Sequence, residues 1–314
     1  MKQKIVERIV ELIRETSSSL PEDVLKALKS ALRKEERGRS AAVVLKTILD
    51  NCALAKKQST PLCQDTGTLA FYVDESLKRK VTPAVIKQAV AIATERGYLR
   101  RNCIDSVTGK SYDDNCCDGA PVVHYVATDG DSGVPEPRPK ARGGKVTLLL
   151  KGGGSENMSR QYSLPDAALG AGRDLEGVRK CILDAVVKAQ GFGCAPGILG
   201  VCIGGDRATA YEVAKEQLLR PLGEAESLPL QKKEENNSSE CGGGDSSAPV
   251  LRKLEKRILK EANSLGIGPM GLGGRTTLLG VKIASRPRVP ASFFVTVAYM
   301  CWACRRRTIE VRGS

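Results

Sequence analysis

The side chains in this sequence best able to do chemistry are thiols. The 314 residues include eleven cysteines and one histidine, His124. An odd count argues against a closed disulfide framework, and the chain is far longer than the small secreted scaffolds that need one. A single histidine nearly excludes a zinc site of mixed His and Cys ligands and leaves an all-cysteine site open. Cys301-x-x-Cys304 could be a redox pair or half a zinc site, but no partner pair accompanies it. Cys116-Cys117 is vicinal, an awkward arrangement for ligating one metal. Three other thiols have better surroundings. Cys63 stands beside Asp65 in a turn, and Cys194 lies in Gly193-Cys194-Ala195-Pro196 ahead of a strand. Cys301 ends a strand just before Arg305, Arg306 and Arg307. Their separations are long, so spacing alone favours a scatter of buried thiols.

Two glycine motifs could hold an anion. Lys151-Gly152-Gly153-Gly154-Ser155 follows a strand but lacks the ending of a phosphate-binding P-loop. It is either a backbone cradle of converging N–H groups or a plain strand-to-helix turn. Gly266-Ile267-Gly268-Pro269-Met270-Gly271 matches GxGxxG. A helix precedes it and a strand follows it, the reverse of the dinucleotide fold, so that reading fails on context.

The elements that must position these residues alternate in type. Ile5, Val6, Ile9, Val10 and Ile13 recur at a helical period. A second helix follows Leu20, and a third runs from about Ser40 until Pro61 stops it. Leu69–Val73 reads as a strand, and Thr82-Pro83 opens a helix that ends near Gly97. Strands are expected at Pro121–Ala127, Lys145–Leu150 and Gly197–Ile203. Helices are expected at Leu175–Lys188, Thr209–Leu219 and Leu251–Leu265. Ala291–Cys304 reads as a buried strand leading into a turn, too short to span a bilayer. Two stretches read as surface insertions: Thr128–Arg142, and the polar Ser227–Ser247, which is expected to be disordered. No fixed-period repeat is visible.

Composition sets the remaining bounds. Apolar residues at 41% and charged residues at 27% describe an ordinary globular chain. The net charge of +13 could suit nucleic acid, yet aromatics are only 4%, too few for base-stacking platforms. Glu7 and Glu11 interrupt the apolar N-terminal stretch, against a secretory or transit segment. Neither a membrane nor a nucleic-acid partner is expected, and a reducing cytoplasm is the default location.

Several segments together resemble the iron–sulfur-dependent class I fumarases and the related L-tartrate dehydratases. They are Pro61-Leu62-Cys63-Gln64-Asp65-Thr66-Gly67, Lys151–Asn157, Gly193–Pro196, Gly200–Gly205, Gly266–Thr277 and Tyr299-Met300-Cys301-Trp302. The resemblance covers nearly the whole chain, in order, apart from the two insertions. It implies an α+β fold, a single large domain over 1–314 with an N-terminal helical layer packed on mixed β-sheets. It also implies the α subunit of a hydro-lyase that works with a separate β subunit in a hetero-oligomer. The implied cofactor is a site-differentiated [4Fe–4S] cluster held by Cys63, Cys194 and Cys301, its fourth iron free to act as a Lewis acid. The substrate would be a small dicarboxylate. Gln64 and Asp65 would contact it, with Asp65 moving a proton, Arg100 holding a carboxylate and the Gly154 backbone approaching it.

The favoured reaction is hydration of fumarate to L-malate, with tartrate dehydration as the alternative. Three departures bear on this. Val289, in Arg288-Val289-Pro290-Ala291, stands where the family has a histidine thought to share the proton transfer. Asn115–Pro121 carries Cys116 and Cys117 where the family pattern is polar, and Ala195 replaces a proline. A non-catalytic, cluster-binding paralogue is therefore a further reading, which Val289 keeps open.

Overall fold

In the computed structural model, residues 2–127, 143–223 and 248–312 are described. Both expected insertions, 128–142 and 227–247, lie outside them. Helices α1 (Lys2–Ser18), α2 (Glu22–Lys34) and α3 (Ser40–Gln58) precede β1 (Thr68–Asp74), α4 (Pro83–Glu95), β2 (Val122–Val126) and β3 (Gly143–Lys151). A short helix α5 (Gly153–Asn157) leads to β4 (Arg160–Ser163), α6 (Leu175–Ala189), β5 (Gly197–Gly204) and α7 (Arg207–Gln217). The chain continues through α8 (Ala248–Ser264), β6 (Leu278–Arg286), β7 (Phe294–Met300) and β8 (Arg305–Arg312). The class is α+β, with helices layered on two mixed sheets, as the sequence implies. No helix among the described residues is long and apolar enough to cross a membrane.

The chain divides into two compact units. The first comprises residues 1–25, 43–157 and 303–314. Its sheet has the order β2-β1-β3-β8, with β1 parallel to β2 and both other pairs antiparallel. The N-terminal layer forms because α1 gathers Ile5, Val6, Ile9, Val10, Leu12 and Ile13 on one buried face. That face packs on α4, β3 and β8, sharing a core with Phe71, Val73, Ile86, Val90, Leu148 and Leu150. Each such aliphatic side chain removed from water contributes about 1.5–3 kcal/mol. Thr82 starts α4 by accepting a hydrogen bond from the Val85 N–H, with Pro83 in the first turn.

The second unit comprises residues 26–42 and 158–302. Its sheet has the order β4-β7-β5-β6, with β5 parallel to β6. Every residue of β5 is buried, and α6, α7 and α8 pack against this unit's strands. Gly200 lets α7 press on β5: a Cβ there would sit 2.0 Å from the Ala214 carbonyl oxygen.

Two strands escape the sequence reading. β4 is only four residues long. β8 begins with the three arginines that seemed to close the preceding strand. Each finds a partner: Arg305 donates to the Asp65 carbonyl, Arg306 to Asp23, and Arg307 to Ser19 while pairing with Glu15. The buried strand and turn expected in Ala291–Cys304 are present. β7 spans Phe294–Met300, and Trp302 marks the bend after it.

Candidate active site

The Cys63–Gly67 segment lies between α3 and β1 in the first unit and is shaped by missing side chains. Gly67 has φ +80°, and a Cβ there would lie 2.6 Å from both the carbonyl carbon and oxygen of Lys151. Only glycine permits both that conformation and that approach. The end of β3 therefore lies directly on this segment. Gly152 completes the fit: a Cβ there would stand 2.8 Å from Asp65 Oδ2, so the carboxylate occupies the space a side chain would fill. Asn102 Nδ2 donates to Asp65 Oδ1 at 3.4 Å. Arg305 Nη2 donates to the Asp65 backbone oxygen at 2.9 Å, holding the residue from behind. Arg305 is only 1% exposed, yet its Nε and Nη1 have no protein partner among the described residues.

Arg100 joins the same region. Its backbone N–H donates to Thr66 Oγ1 at 3.3 Å, and its carbonyl accepts from Asn115 Nδ2 at 2.8 Å. The guanidinium side is exposed, so the turn is fixed while the side chain reaches out. Gln64 is exposed beside Asp65. Gly154 is exposed in the first turn of α5, with open space where its Cβ would be. Lys151, buried at the end of β3, pairs with Glu156 at 2.5 Å and anchors that turn. The glycine run forms a strand-to-helix turn between β3 and α5, with Gly153 and Gly154 exposed in it. Thus Cys63, Gln64, Asp65, Arg100 and Gly154 all belong to one unit.

Cys194 and Cys301 belong to the other. Cys194 sits at φ +53°, an uncommon conformation for a residue with a side chain. Its N–H donates to the Gly191 carbonyl, and its own carbonyl accepts from the Trp302 N–H at 3.3 Å. That bond brings the Cys194 turn to the residue after Cys301. The buried Tyr299 ring lies under the same turn, where a Cβ on Gly193 would come within 2.3 Å of it. Burial raises the Tyr299 phenol well above its usual range, and the Cys301 and Cys194 thiols beside it push the same way.

The loop Gly266–Thr277 supports this turn from below. The Met270 N–H donates to the Ala195 carbonyl, and Gly191 lies so close to Met270 that a Cβ would reach its oxygen at 2.4 Å. Buried Glu35 accepts the Arg275 N–H with both oxygens at 2.9 Å. The GxGxxG segment is therefore a packing loop. Val289 is 64% exposed, in a loop whose carbonyls Arg288 gathers.

Burial divides the ten described cysteines into four buried thiols and six partly exposed ones. Cys52, Cys181, Cys202 and Cys304 are buried, which pushes Cys181 up to about 12 and the other three up to about 11. A redox CxxC lowers its thiol pKa; Cys304 is a core thiol instead. Cys63, Cys194 and Cys301 are each partly exposed at a turn or strand end. None of the ten described cysteines is in a disulfide. As soft donors reachable from solvent, these three suit iron–sulfur ligation in kind. Among the described residues, no three His, Cys, Asp or Glu side chains gather into a metal site. His124 stacks on Tyr72 with ring centroids 4.9 Å apart, a strand-face contact.

Sequence reasoning missed Arg305, Asn102, Asn115 and Glu35. The buried Arg305 could have been sought in the arginine run, but nothing in the sequence distinguishes the other three as partners.

Comparison with known proteins adds independent weight. The model of the fumarate hydratase (Fumerase) family matches residues 6–310. "Putative fumarate hydratase class I" of Geobacillus stearothermophilus is 44% identical over 98% of this chain and 55% of its own length. The chain thus spans about half of that relative. "Putative L(+)-tartrate dehydratase subunit alpha" of Methanocaldococcus jannaschii is 34% identical, over 98% of both chains. "L(+)-tartrate dehydratase subunit alpha" of Escherichia coli strain UTI89 is 28% identical, over 99% of this chain and 93% of its own. With nearly every residue inside the family match and the family's motif segments packed on one another within each unit, the chain belongs to the fumarate hydratase (Fumerase) family.

Proposed function

We propose that this chain is the α subunit of an iron–sulfur hydro-lyase that interconverts fumarate and L-malate in a reducing cytosol, together with a β subunit. The observation that carries the reading is the seating of Asp65, with Gly152 making room for its carboxylate and Arg305 fixing its backbone. Cys63, Cys194 and Cys301 would hold a [4Fe–4S] cluster. When bound, it would supply a Lewis acid that helps hydroxide leave and neutralises a substrate carboxylate.

The chain's own residues do the rest. Arg100 offers a planar guanidinium to a carboxylate, from a turn fixed by Thr66 and Asn115. Gln64 and the open backbone at Gly154 bind and orient the dianion. Asp65 exchanges a proton at its carboxylate, with Asn102 orienting Oδ1. Val289 cannot carry a proton, so the transfer must run through Asp65 or a group of the second subunit. The 44% identity to the fumarate hydratase relative favours fumarate over tartrate. The end-to-end match to a tartrate dehydratase α subunit supports the two-subunit form and keeps tartrate as the second reading.

The test is anaerobic. The chain is co-expressed with a matching β subunit, iron and sulfide are reconstituted, and loss of fumarate and of L-tartrate is followed in parallel with a Val289→His variant. Fumarate turnover by the wild type supports the reading, and tartrate turnover alone replaces it with the second. A cluster without turnover, restored by Val289→His, identifies a lineage that lost catalysis at that position. Absence of any cluster removes the ligand assignment.

A further inference from the structure

Outside the groups used above and among the described residues, one pair of nucleophiles is close enough to react. Cys103 Sγ and Cys117 Sγ lie 3.4 Å apart, both partly exposed, in the segment that connects α4 to β2. A disulfide needs about 2.05 Å, so the sulfurs must approach by only about 1.4 Å. Both backbones are already held. The Cys103 N–H donates to Asn115 Oδ1 at 3.0 Å, and its carbonyl accepts from the Tyr112 N–H at 2.8 Å. The Cys117 N–H donates to the Ala120 carbonyl at 3.0 Å, and its carbonyl accepts from Lys87 Nζ at 2.8 Å. Asn115 is buried at φ +58° and also binds Asn102, Arg100 and Thr94, so one side chain ties together both arms that carry the thiols. Cys116 points elsewhere, toward the carbonyls of Lys87 and Asp114.

We propose that Cys103 and Cys117 are a redox modification site, a dithiol that closes reversibly to a disulfide by exchange with a small disulfide such as oxidised glutathione. Cys117 attacks as thiolate on one glutathione sulfur. The glutathione S–S bond breaks, one glutathione thiolate leaves, and a mixed disulfide forms on Cys117. Cys103 then loses its proton, and its sulfur attacks the Cys117 sulfur of that mixed disulfide, releasing the second glutathione thiolate. Two electrons pass from the two thiols to the oxidant, and the two protons released convert both leaving thiolates to reduced glutathione. Burial and the neighbouring Cys117 push the Cys103 thiol up to about 11, which slows its attack, so the second step is the slower one and proximity must drive it. The bond spans residues 103–117 and fixes the arms that follow Asn102, the residue donating to Asp65.

The test equilibrates the reduced full chain in glutathione buffers of rising oxidised fraction, blocks the remaining thiols by alkylation and maps tryptic peptides. Cys103 lies in Asn102–Lys110, and Cys116 and Cys117 share the next peptide. The expected result is a covalent link between these two peptides in most of the chain, reversed by dithiothreitol. The link is retained in Cys116→Ser and lost in Cys117→Ser, where Cys103 stays open to alkylation. A link that survives Cys117→Ser, or a Cys103 that stays alkylatable in the wild type in every buffer, overturns the proposal.

Discussion

Asp65 is placed by two residues that have no side chain and one that has a long one. Gly67 lets β3 approach, Gly152 leaves room for the carboxylate, and Arg305 takes the backbone oxygen. Gly67→Ala should be strongly destabilising. Left-handed backbone alone costs an L-residue roughly 1–2 kcal/mol, and the Lys151 backbone cannot move aside. A fall in unfolding free energy by about 2 kcal/mol or more, read from urea denaturation, is expected, with full retention of the wild-type midpoint refuting the account. Asp65→Asn keeps the shape and removes the exchangeable proton. Turnover of the loaded two-subunit enzyme should fall by about 10²–10⁴-fold with an unchanged thermal midpoint. Loss of folding instead would assign Asp65 a structural part. At this scale the sequence was legible wherever a residue type restricts chemistry, as with Cys63 or Asp65. Arg305 was not, because a buried guanidinium on a backbone carbonyl leaves no pattern along the chain.

At the scale of elements, caps fix where helices begin. The sequence places α7 from Thr209, whereas the helix starts at Arg207 because Asp206 caps it, accepting from the Ala208 and Thr209 N–H groups. The Thr209 hydroxyl and these N–H groups hold the Asp206 carboxyl below its usual value. A lowered folded-state pKa means the ionised cap adds stability above the unfolded value of about 3.9. That contribution is lost as the pH falls through the folded value. Thermal midpoints of the wild type and Asp206→Asn should therefore converge as the pH drops from neutrality to below 4, and parallel curves would contradict the capping account. Most helices were readable from their apolar period, as in α1, and β1 and β5 from unbroken apolar runs. β4 and β8 were not: four residues carry too little pattern, and in β8 charges mask a strand whose arginines are paired rather than solvated.

Across the whole molecule, the two sheets share a plan. Each has one parallel pair at an edge followed by two antiparallel pairs, as β2-β1-β3-β8 and as β6-β5-β7-β4. In each, a helical crossover joins the parallel strands and the next antiparallel strand lies on the far side of the first. No sequence period reveals this, because the crossover lengths differ. The proposed substrate and ligand residues are divided between the units, Cys63, Gln64, Asp65, Arg100 and Gly154 in the first and Cys194 and Cys301 in the second. On the proposed function, the chain alone should bind iron and sulfide yet turn over little fumarate until a β subunit is added. Full turnover by the purified chain alone would remove the need for that partner.

The division of the first unit also sets an order of events at the ribosome. Its sheet has β3 bordered on one side by β8, which is made only after residues 158–302 of the second unit have emerged. Domains tend to fold as they are completed during synthesis. The second unit can therefore close while β3 still shows an open edge, and edges of that kind invite mispairing. Arg305 arrives with β8, so the Asp65 segment gains its backbone anchor only after the second unit has been made. Proteins stalled just short of β8 would be the ones that chaperones must shield.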